Sequence, residues 1–315
     1  RPETIFNLDE SYEAAVLEMG MSSLGEISRL SKAAKPCVGI IGNIGVSHLE
    51  NLGTRENILK AKLEILDGMD KDTPLILNGD DSLLYNAKVK EHPIYYYGID
   101  NKFCRFKAYD IESDEESSSF IIDFGCGEQR VFLPAIGRHN IYNALAAFAA
   151  GFLLGIEPEQ AADALADYVP AGMRQRVRNE KGIVFIEDCY NASPDSMRAT
   201  LSSLMQIKAK RHIAVLGDML ELGKVSNQAH SDVGTLAAQM GVDTLFTYGS
   251  KAKLSSQAAV SAGIKVALSF EDKLQLSKEL SSMLSPGDAV VFKASRGMRL
   301  EDVIKSVYKE LGIGE

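Results

Sequence analysis

Three groups of residues in this chain invite a reading as phosphate and carboxylate sites, and two of them have the types and spacing for it. In the first, Glu18 closes the apolar run AAVLEM (14–19), His48 follows a second apolar run, VGIIGNI (38–44), and Lys62 lies in KAKLEIL. A carboxylate at the carboxyl end of a core strand can hold magnesium, and a nearby imidazole and amine extend such a site. Each also has an ordinary reading: a solvated strand end, a loop or helix-cap residue, a surface lysine. In the second, GRHNIYNALAA (137–147) sets His139, Asn140 and Asn143 at a helix start, as caps or as readers of a purine edge. RQRVR (174–178) then gathers guanidinium groups suited to the phosphates of a transferring group. EDCYNASPDSM (187–197) ends a core strand with Asp188, Tyr190 and Asn191 before a helix opened by Pro194. A strand-end carboxylate suits ribose hydroxyls and an aromatic ring suits a base face, although Asp188 also reads as a simple helix-entry residue. In the third, two glycine-rich stretches, GIIGNIG (39–45) and GDMLELGK (217–224), look like phosphate loops but are not. A P-loop ends in Gly-Lys-Ser/Thr because the hydroxyl holds the metal, and here Val225 follows Lys224 while two acids sit inside the second loop.

The elements that must position these residues follow a strand-then-helix rhythm. AAVLEM reads as a strand, 26–34 as a helix and VGIIGNI as a buried strand. Thr54 to Met69 is an amphipathic helix with Ile58, Leu59, Leu63, Ile65 and Leu66 at helical spacing, started by Thr54 and Asn57 and ending near Gly68. PLILNGD is a strand, DSLLYNAKV a helix and PIYYYGI a strand. Between 103 and 136 the period changes to two, as in an antiparallel meander, and HNIYNALAAFAAGFLLG and EPEQAADALADY are helices. After a break at YVPAGMRQRV come IVFIEDC, HIAVLGD, TLFTYG, VALSF and AVVFKAS, each followed by a helical segment. That is the pattern of βα units around a mostly parallel sheet, and it divides the chain into domains at 1–172 and 173–315.

A net charge of -9 gives no bulk attraction to nucleic acid or anionic lipid, so phosphate must meet a local site. No apolar run approaches the roughly 20 residues that cross a bilayer, and the first residues carry no apolar signal core. Membrane insertion and nucleic-acid partners are therefore not expected. Cys37, Cys104, Cys126 and Cys189 form no CxxC pair. Three of them fall in strand-like stretches and read as buried free thiols, which fits a reducing, cytoplasmic compartment and argues against structural zinc. The opening on Arg1, with a core strand almost at once, leads us to expect an upstream part.

Eight segments in order carry a resemblance: EMG, NIGVSHLENLGTRENILKAKLEIL, LNGDD, GRHNIYNALAA, GMRQRV, DCYNASPDSM, LGDMLELG and FKASRGMRLE. Together, from Glu18 to about Glu301, they resemble the Mur ligases, most of all the branch that joins D-alanyl-D-alanine to UDP-N-acetylmuramoyl-tripeptide. The resemblance implies an α/β fold: the remainder of a P-loop-type central ATPase domain, then a Rossmann-like C-terminal domain. The family's N-terminal domain and P-loop have no counterpart in this sequence, so the chain by itself is expected to be inactive in ligation.

Carried over by motif, Glu18, His48 and Lys62 would hold magnesium, two ions being expected. Lys62 matches the family's carbamylated lysine (N6-carboxylysine) as the second lysine of KAKLEI. His139, Asn140 and Asn143 would border the adenine of ATP, Arg174 would reach its phosphates, and Asp188, with Tyr190 and Asn191, its ribose. Lys62, His48 and Arg174 would be the catalytic group. Asp218, Glu221, His230, Lys293, Ser295 and Arg296 would lie toward the peptide substrates. The implied reaction is amide formation through an acyl phosphate, by a monomer in the cytoplasm. Rival readings are a relative that adds one amino acid, such as the diaminopimelate- or lysine-adding ligase or a folylpolyglutamate synthase, and a non-catalytic nucleotide-binding module. LGDMLELG and DCYNASP favour the dipeptide-adding branch.

Overall fold

The computed structural model describes residues 8–46, 49–114, 116–169, 172 and 174–314. They form two compact units: Arg1–Ile111 with Ser119–Phe132 and Ile141–Ala166, and Glu112–Ser118 with Leu133–Asn140 and Asp167–Glu315.

The first unit is built on α1 (Glu26–Ala34), β1 (Gly39–Ile41), α2 (Leu49–Leu52), α3 (Arg55–Leu63), β2 (Leu75–Asn78), α4 (Ser82–Tyr85) and β3 (Ile94–Gly98). It continues through β4 (Phe106–Ser113), β5 (Ser118–Asp123), β6 (Glu128–Leu133), α5 (Arg138–Leu153) and α6 (Pro158–Ala166). Strands β1 to β6 lie side by side in chain order. β1, β2 and β3 are parallel, as is the short β3–β4 ladder. β4, β5 and β6 are joined by connections of four residues, 114–117 and 124–127. Such links are too short for a parallel crossover, so this part is the expected antiparallel meander.

Apolar side chains of β1, β2 and α3 (Ile41, Leu75, Leu77, Ile58, Ala61) close one core, and the rings of Phe106, Phe124, Phe148 and Phe152 close another. The Thr54 hydroxyl accepts the Asn57 N–H and starts α3, the expected cap. The helix then tightens into a 3₁₀ turn over Glu64–Gly68.

Two readings of this region need correction. AAVLEM is not a strand: Val16 is 97% exposed, and β1, at the sheet's edge, pairs with β2 alone among the described residues. An apolar run becomes a strand only where a neighbour takes up its backbone hydrogen bonds. Glu18 is consequently an exposed residue of an irregular segment rather than a strand end. DSLLYNAKV supplies only the four-residue α4, since Asn86 leaves helical geometry.

The second unit contains β7 (Arg176–Glu180), β8 (Ile183–Asp188), α7 (Pro194–Gln206), β9 (Arg211–Gly217), α8 (Ser226–Met240) and β10 (Thr244–Tyr248). It ends with α9 (Ala252–Ser261), β11 (Val266–Phe270), α10 (Lys273–Met283), β12 (Asp288–Lys293) and α11 (Glu301–Leu311). The strand order is β11-β10-β9-β12-β8-β7. All neighbours are parallel except β7, which runs antiparallel to β8. β12 enters between β9 and β8, so the loops leaving these three strands adjoin at the sheet's carboxyl edge, where open α/β sheets bind ligands. Their near-continuous apolar sequences follow from burial on both faces. On one face Phe185, Val290 and Phe292 pack with Val303, Ile304 and Val307 of α11.

β7 was missed because its residues, RVRNE, have an edge strand's charge and no apolar alternation. The cysteine reading also changes. Cys104 and Cys189 are buried, whereas Cys37, ahead of β1, and Cys126, in the β5–β6 turn, are exposed; all four are free thiols. Burial pushes the Cys104 thiol up to about 12, the behaviour of an inert packed sulfur.

Candidate functional sites in the two units

In the first unit Lys62 follows the inward-facing Ala61 on α3 and is half-buried, whereas Lys60 is exposed. The Lys62 Nζ donates to the Asn43 carbonyl at 2.6 Å, in the glycine-containing loop after β1. That loop is held from two further sides. Arg55 Nε and Nη2 donate to the Ile44 carbonyl at 3.0 and 2.5 Å, and Asp81 Oδ2 accepts the Ile44 N–H at 2.7 Å. Burial lowers the Lys62 pKa from the ordinary lysine value, and the charge of Asp81 opposes the shift without cancelling it. Asp81 is already committed, since its Oδ1 also accepts the Leu83 and Leu84 N–H groups and caps α4.

A lysine in this setting gives up its proton more readily than a free one, and the unprotonated amine is the form that adds carbon dioxide. A free amine is a poor ligand for magnesium, which prefers oxygen, while a carbamate would offer two oxygens. Among the described residues no group of three or more His, Cys, Asp and Glu side chains could hold a metal ion. A carbamate on Lys62 would supply the oxygen donors that magnesium prefers. His48 lies outside the described residues.

In the second unit Asp188 and Lys293 are the last residues of β8 and β12 and stand in register. Lys293 Nζ lies 2.7 Å from Asp188 Oδ2, and the Thr200 hydroxyl of α7 donates to the same oxygen at 2.5 Å. Lys293 is 2% and Asp188 8% exposed. Side chains alternate along a strand, so Glu187 faces the other way and accepts the Tyr308 hydroxyl of α11 at 2.5 Å. The His139 imidazole titrates below its ordinary value because it is buried; Asp188 pulls it up and Lys293 pushes it down.

The start of α5 is tied to this cluster. Asn140 Nδ2 donates to the Ile136 carbonyl at 2.8 Å and to Gln175 Oε1 at 3.1 Å, and Gln175 Nε2 donates to the Ser203 hydroxyl at 3.1 Å. Gly137, at φ +90°, lets the chain pass so close that a Cβ would stand 2.6 Å from Ser203 Oγ. Next to Gln175, the Arg174 guanidinium lies 4.0 Å above the centre of the half-exposed Tyr190 ring. Asn191 Oδ1 accepts the Ala192 N–H at 2.8 Å, and α7 opens with Pro194 inside a capping box of Ser193 and Ser196. Asn143 is exposed and belongs to the first unit.

The remaining expected residues split into framework and surface. Asp218 Oδ1 accepts the Lys251 and Ala252 N–H groups at 3.1 and 2.6 Å, and Gly249, at φ +114°, leaves room for that carboxylate. His230 is 1% exposed; its Nε2 accepts the Met219 N–H at 3.0 Å and its Nδ1 faces the Ser226 carbonyl at 2.7 Å. Those partners require the neutral ring protonated at Nδ1, in keeping with burial lowering its pKa. Ser295 Oγ accepts the Leu220 N–H at 2.9 Å. These three side chains shape the loop from Asp218 to Leu222, whereas Glu221 and Arg296 are exposed, Arg296 pairing with Glu301 at 3.0 Å.

Comparison with known proteins identifies the family. The Mur ligase middle domain matches residues 1–151, and the Mur ligase glutamate ligase domain matches 173–296. A crystal structure of MurF from Acinetobacter baumannii superposes with a TM-score of 0.89 at 30% identity, covering 98% of this chain and 67% of that one. The chain belongs to the Mur ligase family. A UDP-N-acetylmuramoyl-tripeptide–D-alanyl-D-alanine ligase of Bacillus subtilis (strain 168) is 40% identical over 309 residues, 97% of this chain. The chain spans 66% of that relative's length. MurF from Thermotoga maritima, solved in complex with ADP, gives a TM-score of 0.85 at 28% identity, covering 94% of this chain and 67% of that one.

In this Mur ligase chain several structurally engaged residues escaped sequence reasoning. LNGDD belongs to the resemblance, but the sequence alone gives its acids no role. Asp80 accepts the N–H groups of Ile99, Asp100 and Asn101 and the Tyr142 hydroxyl. Burial works against its charge, yet these four donors hold its pKa below the usual carboxylate range. Gln175 and Thr200 are uncharged and unremarkable in sequence; only the fold reveals Thr200 on Asp188 and Gln175 bridging Asn140 and Ser203.

Proposed function

We propose that this chain carries the middle and C-terminal parts of an ATP-dependent ligase of peptidoglycan precursors, acting in the cytoplasm with a domain boundary near 172. It would join D-alanyl-D-alanine to UDP-N-acetylmuramoyl-tripeptide. The terminal carboxylate of the tripeptide takes the γ-phosphoryl of ATP with release of ADP, the dipeptide amine attacks the resulting acyl phosphate and loses a proton, and inorganic phosphate leaves. The observation that carries the reading is the strand-end cluster of Asp188, with Arg174 stacked on Tyr190 beside it, in a chain 40% identical to a ligase of that name.

In this reading Asp188 binds ribose, Asn140 and His139 border the base, and Arg174 faces the phosphates. Tyr190 and Asn191 line the approach, and Asn143 stands farther along α5. Lys62, as N6-carboxylysine, would hold magnesium with Glu18 and His48, and bound magnesium would offset the repulsion between the approaching anions. The loop shaped by Asp218, His230 and Ser295, with Glu221 and Arg296 at the surface, suits the peptide substrates.

A coupled ADP-release assay on the protein at the length of its relatives tests the reading. Turnover is expected with UDP-N-acetylmuramoyl-tripeptide and D-alanyl-D-alanine. Turnover only with a single amino acid as acceptor would overturn it.

A further inference from the structure

Resting on the nucleotide reading of Asp188, the geometry points to Lys293 and Thr200 as positioning residues for ribose recognition, which moves Lys293 from the peptide side to the nucleotide side. Lys293 is 2% exposed and its ammonium is paired with Asp188, so little of it is open to a substrate carboxylate. Both contacts fall on Asp188 Oδ2, which leaves Oδ1 to accept a ligand hydroxyl. The register of β8 and β12 fixes the ammonium beside the carboxylate, and Thr200 reaches it from α7 on the same face. A carboxylate pinned through one oxygen presents the other in a fixed direction, which is what discrimination between ribose and deoxyribose requires. Because Glu187 faces α11, no second acid at the end of β8 can take over the task.

The test is calorimetric titration of the chain, to millimolar ligand, with ADP, 2′-deoxy-ADP, 3′-deoxy-ADP and D-alanyl-D-alanine. The unmodified chain should bind ADP more tightly than at least one deoxy analogue. Lys293→Met should weaken ADP by about 10- to 100-fold, the scale of one hydrogen bond to a charged group, and erase the preference for the intact ribose. Its affinity for D-alanyl-D-alanine should not change. Thr200→Val, which keeps the ion pair, should shift ADP binding and ribose preference in the same direction by less. Lys293→Met with normal ADP binding and lost dipeptide binding would overturn the inference. Should that variant fail to fold, full ribose preference in Thr200→Val would overturn it instead. No ADP binding by the unmodified chain would sink the nucleotide reading itself.

Discussion

Lys62 and Lys293 are both drawn out of water, and they meet opposite partners. Lys62 points at a neutral backbone carbonyl, and the acid whose charge reaches it, Asp81, already accepts three backbone N–H groups. Lys293 meets a carboxylate directly, in register on the neighbouring strand. In the first case desolvation wins and the amine's pKa is lowered, which suits the carbamylation proposed for Lys62. In the second the charge is matched, which suits a lysine whose task is to fix another group. The partner, more than the depth of burial, decides which chemistry a lysine retains.

The contrast breaks most visibly when one member of the pair is removed. Asp188→Asn leaves the Lys293 ammonium facing no full negative charge, and stability should fall by about 3–5 kcal/mol. Asp188→Asn with Lys293→Met removes both charges and should recover most of that loss. Urea unfolding of the two variants checks this; equal destabilisation would mean that the pair is not a closed electrostatic unit.

Lys62→Met should act with the opposite sign. A lysine with a lowered folded pKa binds fewer protons folded than unfolded in the interval up to its unfolded value, so stability rises with pH there. Replacing it removes that slope. The variant should therefore be more stable than the unmodified chain at pH 7, with the advantage closing as pH approaches about 10.4. Unfolding at pH 7 and 9.5 gives the comparison. A pH-independent difference would show that Lys62 does not titrate as its surroundings dictate.

Much of this contrast was hidden in the sequence for identifiable reasons. Helix α3 and its Thr54 cap were legible because period and capping are local, and the βα alternation after Ile183 was legible because each central strand is an unbroken apolar run. AAVLEM misled because strand formation depends on a neighbour that local pattern does not reveal. Lys62 was placed by motif, yet its carbonyl partner lies 19 residues away. Lys293 and Asp188 are 105 residues apart, and only the entry of β12 between β9 and β8 brings them into register. His230 was placed toward the peptide substrates by motif, and its bridge between the Met219 N–H and the Ser226 carbonyl is not visible in the sequence.

His139 sharpens the comparison, because it feels both members of the pair. Burial keeps its pKa low, Asp188 raises it and Lys293 lowers it. Lys293→Met should therefore raise the His139 pKa and Asp188→Asn should lower it, each relative to the unmodified chain. Imidazole proton shifts followed across about pH 4.5 to 8.5, roughly two units below and above the ordinary histidine value, would read both. The same depression ties His139 to stability. The unfolded ring takes up its proton first, so stability should begin to fall as pH drops through about 6.5 and stop falling only below the lower folded value. Shifts of the same sign in the two variants would place His139 outside the pair's field.

The smallest effect tests the surface above the pair. Arg174 lies over Tyr190 with the ring half exposed, so the cation–π contact is worth about 0.5–1 kcal/mol. Tyr190→Phe keeps the ring face and should leave stability and the placement of Arg174 unchanged. Tyr190→Leu removes the face, frees the guanidinium and should cost about that much in unfolding free energy. If Arg174 is held there to meet phosphate, the Leu variant should also weaken ADP more than adenosine, because adenosine has no phosphate to lose. Equal weakening of both would assign Tyr190 to the base rather than to the arginine, and would separate the surface shelf from the buried pair beneath it.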